Sequence, residues 1–385
     1  VSRRPLRVAI LGPRGGWHTR QVARALAQRG HDVRLAAVTR TVGRIERLPS
    51  IVARQTGSWV AHRAGPAAGA DSTAGPAAGA DSTAGPAHAG SEAGDGSAAA
   101  PARTDPAAGG GELALEEGEL ALEDCDVVVV RGIPAGSLEQ TIFRVDALHL
   151  LEMAGVIVVN GPRAIERTVD KFLASALLAR AGLPTPRTIA VQSRTQALEA
   201  FEELGGDVIV KPLFGAMGTG MVRVAQRDIA HRVFRALELE RAVFYLQQAI
   251  AHDGRDVRAL VLGGTVIAAI ERRASGWRVN LAQGARAHPA RLDPADERLC
   301  VQAAAALGAE LAGVDLLPSS DGERYVIEVN GIPGWHGLQQ ATGVDVADAL
   351  ARHLETLAGL CSRAGGPPDR RARRPGGSHQ SANSL

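Results

Sequence analysis

Short apolar runs alternate along this chain with stretches whose apolar residues recur every three or four positions. Residues 6–11 are apolar apart from Arg7 and stop at Gly-Pro-Arg-Gly-Gly, 12–16. Residues 17–29 then place Val22, Ala23, Leu26 and Ala27 at helical spacing, Gly30 ends the pattern, and 33–38 is apolar again. A β-α-β opening of this kind starts a parallel, doubly wound sheet. The alternation returns as a strand at 126–130, a helix at 137–154 and a strand at 156–159, with Asn160-Gly161-Pro162 marking a domain edge. Beyond it the spacing predicts helices over 170–180, 229–237 and 294–311. Strands are predicted over 208–212, 221–225 and 245–250, with a hairpin of 257–262 and 265–270 turning at Gly263-Gly264.

One stretch breaks this pattern. Gly-Pro-Ala-Ala-Gly-Ala-Asp-Ser-Thr-Ala at 65–74 recurs verbatim at 75–84, and a decayed third copy starts at Gly85. Alanine, glycine and proline with few large apolar residues cannot bury enough surface to offset chain entropy. Residues 57–111 are therefore expected to be a disordered low-complexity insertion, a tolerated loop expansion rather than a partner-docking linker. A second duplication, Glu-Leu-Ala-Leu-Glu at 112–116 and 119–123, closes it. Because the strand–helix alternation resumes beyond, 1–56 and 112–160 form one domain. Five arginines set among glycine, proline and serine make 361–385 a disordered basic tail, read as solvated rather than as an RNA-binding arm.

Composition narrows the function classes. With 43 basic and 41 acidic residues the net charge is +2, which gives no general attraction to nucleic acid or a membrane surface. Aromatic residues at 3% are too few for a base-stacking platform. Three widely separated cysteines lack metal-ligand spacing and read as reduced thiols. Arg3, Arg4 and Arg7 precede an apolar run that breaks at Gly12-Pro13, too soon for a signal-peptide core, and no run approaches the roughly 20 residues that span a bilayer. A cytoplasmic protein with no membrane or nucleic-acid partner is expected, and a homo-oligomer stays open. The loop after the first strand lacks Gly-x-Gly-x-x-Gly and the chain has no Walker loop, so neither a dinucleotide site nor a P-loop is supported.

The chemistry gathers in the second half. Glu328 and Asn330 lie two apart on an apolar segment, so they share one strand face, and Asp315 stands on the neighbouring strand. Three hard oxygen donors there suit Mg²⁺ or Mn²⁺, against the plainer reading of a polar hairpin. Lys211 ends a strand before Gly-Ala-Met-Gly-Thr-Gly, 215–220, where an ammonium and backbone N–H groups can meet phosphate oxygens. Asp170-Lys171 opens a helix, Arg272 and Arg273 follow an apolar strand, and Arg278 and Asn280 flank Val279. Singly, these read as a surface turn or solvated charges. Together, the two lysines, the Gly-rich loop, the Arg-x-Asn pair and the acid-acid-amide set favour a nucleotide site.

Their order carries a resemblance. Lys-Pro-x-x-Gly-x-x-Gly-x-Gly from Lys211, Gln-Gln-Ala-Ile from Gln247, Arg-Asp-Val-Arg from Arg255, Ala-Ile-Glu-Arg-Arg from Ala269, Trp-Arg-Val-Asn from Trp277, Gly-Val-Asp from Gly313 and Glu-Val-Asn from Glu328 resemble the ATP-grasp superfamily, and within it the RimK-type α-L-glutamate ligases. The resemblance runs to about Leu354. It implies a mixed α/β and α+β protein: a pre-ATP-grasp domain with a doubly wound parallel sheet, a lid over 161–240 and a C-terminal subdomain over 241–360, with ATP held between them. Carried over by position, Lys171 and Lys211 would contact phosphates, and Gln248 and Ala249 would offer backbone groups to adenine. Asp256 would lie near the nucleotide, Arg278 (also the catalytic candidate), Val279 and Asn280 near the phosphates, and Asp315, Glu328 and Asn330 would hold two Mg²⁺ or Mn²⁺ ions. Gln247-Gln248-Ala249 departs from the family's usual Gln-Glu and bulky residue.

The implied activity is an ATP-dependent carboxylate–amine ligation through an acyl phosphate, with L-glutamate and a carboxylate-bearing acceptor as partners. Trp335, after the acid strand, is read against the plainer alternative of a packed tryptophan as a ring that could stack on a pterin, which favours a small-molecule acceptor such as a tetrahydromethanopterin-type pterin. The alternatives are a ribosomal protein C-terminus as acceptor, or a nucleotide-binding regulatory module without catalysis.

Overall fold

The computed structural model describes residues 4–45, 49–61, 111–114, 118–215, 220–274 and 286–363. The chain opens with strand β1 (Arg7–Leu11), helix α1 (Trp17–Gln28) and strand β2 (Asp32–Ile45). Strands β3 (Pro49–Ala61), β4 (Gly111–Ala114) and β5 (Gly118–Ala121) follow. Then come β6 (Val127–Val130), α2 (Leu138–Met153) and β7 (Ile157–Val159). They build one sheet in the order β4-β3-β2-β1-β6-β7, with β5 also on β3, and β2, β1, β6 and β7 pair in parallel. This is the doubly wound unit that the alternation predicts. Ser137 closes the N-terminus of α2 with a capping box to Gln140, which is why the helix starts there.

The expected insertion at 57–111 starts too early. Residues 57–61 complete β3, and the strands that open the two duplicated segments pair antiparallel with it, β4 opposite Ser58–Ala61 and β5 opposite Val52–Gln55. Backbone hydrogen bonding along an edge needs no apolar periodicity, so the segment looked unstructured. Residues 62–110 lie outside the described residues, as does the tail from 364; 361–363 still belong to the last helix.

Helices α3 (Pro162–Val169) and α4 (Lys171–Arg180) come next. Asp170 caps α4, its carboxylate accepting from Phe172 N at 2.9 Å and Leu173 N at 3.0 Å. A small body follows: β8 (Thr188–Val191), α5 (Arg194–Glu203), β9 (Val208–Lys211), β10 (Val222–Val224), α6 (Arg227–Leu239) and β11 (Phe244–Gln248). Its four strands run antiparallel in the order β10-β9-β11-β8. Val208, Val210, Phe244 and Leu246 face α5 and α6, burying Phe201 and Phe234. By alternation, Ile209, Lys211, Tyr245 and Gln247 face the other way.

The third sheet, β14-β13-β12-β15-β16, consists of β12 (Arg255–Leu262), β13 (Thr265–Arg273), β14 (Arg286–Pro289), β15 (Leu311–Pro318) and β16 (Arg324–Asn330). Helix α7 (Pro294–Leu307) lies between β14 and β15 in sequence, and α8 (His336–Thr342) and α9 (Val346–Arg363) close the chain. The helix expected over 294–311 ends sooner because Gly308 takes the left-handed conformation at φ +75°, which frees 311 onward for the strand. One face of this sheet packs on α7 and α4 through Val314, Leu316, Val326, Cys300 and Leu178. The other face divides in two. Its far half, with Leu260, Leu262, Ile270 and Leu311, is buried in a common core with β1, α1 and α9. Its near half carries charge and is left open.

These sheets shift the expected divisions. A boundary at 240/241 runs through the small sheet, because β11 is one of its inner strands. Residues 162–183 bury Ala164, Ala174, Leu178 and Leu183 against the third sheet, and touch the small one through the 2.8 Å contact of Ser175 Oγ with the Tyr245 hydroxyl. Cys125 and Cys300 are free and buried, and burial pushes each thiol up to about 12. No helix among the described residues is long and apolar enough to cross a membrane.

Candidate active site

The open half of the third sheet carries a row of charges set by strand register. Arg272 on β13 stands opposite Asp256 on β12, Arg258 of β12 opposite Asp315 on β15, and Asp315 opposite Glu328 on β16. Asp256 and Arg258 are two apart and share the face. A register shift between Asp315 and Leu316 leaves Ile327 as an extra residue beside Glu328, a bulge of the kind that re-aims side chains next to sites. Facing this row across a cleft are Lys211, Gln247, Gln248 and Ala249 of the small sheet.

The row is densely paired. Arg272 donates through Nε and Nη2 to the two Asp256 oxygens at 2.7 and 2.6 Å, and its Nη2 also lies 2.9 Å from Asp315. Arg258 Nη1 reaches Asp315 at 3.3 Å. Burial works against the charge on Arg272, but Asp315 and Asp256 outweigh it and raise its pKa. Burial raises Asp256 to about 6 against the pull of Arg272, so this carboxylate is ionised at neutral pH. The nucleotide-proximal place expected for Asp256 is therefore qualified: it borders the cleft, yet both its oxygens are held by Arg272. Gly313 permits the Arg258 arrangement, because a Cβ there would lie 2.6 Å from Arg258 Nη2 and 3.1 Å from Pro333 Cβ.

Asp315, Glu328 and Asn330 do converge, since Glu328 and Asn330 share a face and Glu328 pairs across from Asp315. Asp315 Oδ1 is buried and accepts no hydrogen bond from the described residues, with the Arg258 guanidinium 3.3 Å away as its ion partner, and a carboxylate oxygen so placed suits a hard cation. Asn330 Oδ1 accepts from Ile332 N at 2.9 Å, leaving its second lone pair. Among the described residues no cluster of three or more His, Cys, Asp or Glu forms; two carboxylates and one amide oxygen make up the donor set. The set fits a hard divalent ion whose remaining ligands are phosphate oxygens and water.

The two lysines come from different elements. Lys171 opens α4 and donates to Gly215 O at 2.8 Å, tying that helix to the start of the Gly-rich loop, whose residues 216–219 lie outside the described ones. Lys211 ends β9 and donates to Gln247 Oε1 at 2.6 Å. Burial lowers both ammonium groups, Lys211 to about 8, with Glu328 opposing the shift in each case. Gln248 N and Ala249 N donate to Arg187 O at 2.8 Å and Asp207 O at 3.0 Å, so neither N–H is free for the adenine contact that the resemblance implies. Arg278, Val279 and Asn280 lie outside the described residues.

Three neighbours that the motif reading did not place in the site are Arg258, Arg272 and Gln247. Their signal was the two-residue spacing of Asp256 and Arg258, but only the register of β12 between β13 and β15 shows whom they face. Trp335 overturns an expectation. It is 1% exposed, with Arg131 Cζ 4.3 Å over its ring and His18 edge-on at 4.7 Å. It is packed between the first domain and α8 and presents no face to a pterin.

Residues 168–354 match the model of the RimK-like ATP-grasp domain. The chain is 36% identical over 269 residues to the tetrahydromethanopterin:α-L-glutamate ligase of Methanosarcina acetivorans, covering 62% of this chain and 83% of that protein. It is 35% identical over 240 residues to the ribosomal protein bS6–L-glutamate ligase of Shigella boydii, covering 61% and 80%. The ATP-grasp ligase PsnB, in a structure with a minimal precursor, Mg and ADP, shares the fold at a TM-score of 0.60 and 18% identity, over 93% of this chain and 99% of that one.

Proposed function

Because this chain belongs to the ATP-dependent α-L-glutamate ligases built on a RimK-like ATP-grasp domain, we propose that it joins L-glutamate to the carboxylate of a small-molecule acceptor in the cleft between its second and third sheets. The observation that carries this reading is the meeting of Lys211 with Asp315 and Glu328 along that one cleft.

Lys171 and Lys211 bind the phosphates of ATP, their ammonium groups exchanging the carbonyl partners Gly215 O and Gln247 Oε1 for phosphate oxygens. Asp315, Glu328 and Asn330 would hold Mg²⁺ or Mn²⁺, which when bound neutralises charge on the β- and γ-phosphates. Arg272 holds Asp256 and Asp315 in place, and Arg258 steadies Asp315 from the other side. The acceptor carboxylate attacks the γ-phosphorus and ADP leaves; the glutamate amine then attacks the acyl carbon, loses a proton and displaces phosphate. The two facing sheets keep water from the acyl phosphate. Arg278, Val279 and Asn280 belong to the same reading as phosphate contacts, with Arg278 stabilising the transferring phosphoryl group.

A pterin-like acceptor is supported by the Methanosarcina relative's name and no longer by Trp335. A protein C-terminus is the second reading, favoured by the bS6-ligase relative at 35% identity. Incubation with ATP, Mg²⁺, glutamate and an acceptor panel, read by product mass, separates the two. Glu328→Ala should lower turnover by at least the roughly 100-fold that losing even an outer partner of a metal site brings. Near-wild-type turnover in that variant would remove Glu328 from the ligand set.

A further inference from the structure

In a doubly wound sheet, ligands bind outside the carboxyl ends of the strands where the winding reverses. Here that point lies between β1 and β6, since the chain passes from β1 outward to β2 and from β6 outward to β7. Gly12 and Arg131 end the two strands, and a Cβ at Gly12 would lie 3.0 Å from both Arg131 Cβ and Thr19 Oγ1 on the first turn of α1. No side chain among the described residues caps α1 at Gly16, and no acid stands in its first turn, so the positive end of a 12-residue helix faces this crevice uncompensated.

Arg131 supplies a second, independent observation. Its side chain is 8% exposed, and no carboxylate among the described residues pairs with it. Nη2 donates to Pro333 O at 2.7 Å, while Nε and Nη1 are buried without an acceptor. Trp335 Nε1, whose ring lies under the guanidinium, is likewise an unpartnered donor; Gln339 Oε1, one helical turn along α8, is a single unpartnered acceptor. Three buried donors against one acceptor leave the crevice short of negative charge. His18, which accepts from Trp335 N at 2.9 Å, is held neutral at about 4, first by burial and then by Arg131.

We propose that the crevice between β1 and β6 binds a substrate carboxylate, held by the Arg131 guanidinium against the N-terminus of α1. The site touches the cleft through the segment that follows Asn330. Pro333 contacts Arg131 on one side and approaches Gly313 and Arg258 on the other, and Arg258 reaches Asp315. A dicarboxylate can therefore be anchored at one end while its other end meets the phosphates. This rests on the ligase reading, and the carboxylate can belong either to L-glutamate or to a glutamate-terminated acceptor.

The test is calorimetric binding to the full chain with Mg²⁺ and a non-hydrolysable ATP analogue. L-glutamate represents the first source; N-acetyl-L-glutamate, whose amine is blocked, represents the second. One of them should bind the wild type and lose tenfold or more in affinity in Arg131→Met, with the ATP analogue bound equally by both proteins. Whichever ligand responds identifies the source. Should Arg131→Met not fold, Arg131→Lys keeps the charge but lacks the planar guanidinium, and a several-fold loss is expected there. Equal carboxylate binding by variant and wild type overturns the proposal. So does a wild type that binds the ATP analogue but neither carboxylate. A wild type that does not bind the ATP analogue overturns the ligase reading, and this inference with it.

Discussion

Arg272 and Arg131 are both buried guanidinium groups, 3% and 8% exposed, and their surroundings are opposite. Arg272 lies between two carboxylates, which raise its pKa against the cost of burial. Arg131 has a carbonyl and an aromatic ring, and burial alone lowers it to about 10. A matched buried charge fixes the geometry of its partners, and removing it strands them. An unmatched one strands nothing when removed, so its presence calls for a reason outside the resting fold. Burial of an arginine is uninformative until its partners are counted.

That contrast can be broken in several places. Arg272→Met leaves the buried Asp256 without its partner and Asp315 with Arg258 alone, and should destabilise the fold by about 3–5 kcal/mol at neutral pH in urea unfolding. Asp256, already raised by burial, would lose the opposing pull of Arg272, so this penalty should shrink as the pH falls toward the ordinary carboxyl range and be gone below about pH 3, where the group is protonated in folded and unfolded chains alike. A penalty that persists unchanged at low pH would mean that packing, not charge, is the cause.

Lys211 offers a smaller and reversible perturbation. Its ammonium, lowered to about 8, is charged below that pH and neutral above it. If it binds phosphate, kcat/KM for ATP should be level below pH 8 and fall by up to about tenfold per unit above it. A profile flat to pH 10 would take Lys211 out of phosphate binding. Smaller still is the effect of Arg131→Met without ligand. Only the bond to Pro333 O and one ring contact are lost, so unfolding should shift by about 1 kcal/mol or less. A loss as large as that of Arg272→Met would erase the distinction between the two arginines.

The parts of the molecule legible in the sequence are those written in local pattern. The doubly wound opening, the capped starts of α2 and α4, and the acid strand all follow from spacing and short-range hydrogen bonding. The convergence of Asp315 with Glu328 was readable because two adjacent strands carry both. What was not readable depends on partners far away in the chain. Asp256 looked available until β13 placed Arg272 on both its oxygens. Whether Trp335 was packed or free to stack on a ligand was not readable, because nothing near it in sequence reveals that its backbone N–H donates to His18, 317 residues away. The edge strands β4 and β5 are each Gly-Glu-Leu-Ala, and their order comes from the main-chain ladder to β3.

That ladder has a consequence for how the chain tolerates change in length. Ala61 and Gly111 are cross-strand partners, so everything between them leaves and re-enters the sheet at a single doorway. Joining two such fixed points through a longer chain adds only about 0.6 kcal/mol per doubling of length. The ladder therefore predicts that the ten-residue unit at 65–74 and 75–84 can be gained or lost one copy at a time without disturbing the pairing of β3 with β4. Deleting one copy should leave turnover and unfolding midpoint unchanged, and a drop in either would mean that the repeats touch the body they interrupt. The gene has room to stutter here because the fold has already closed the door.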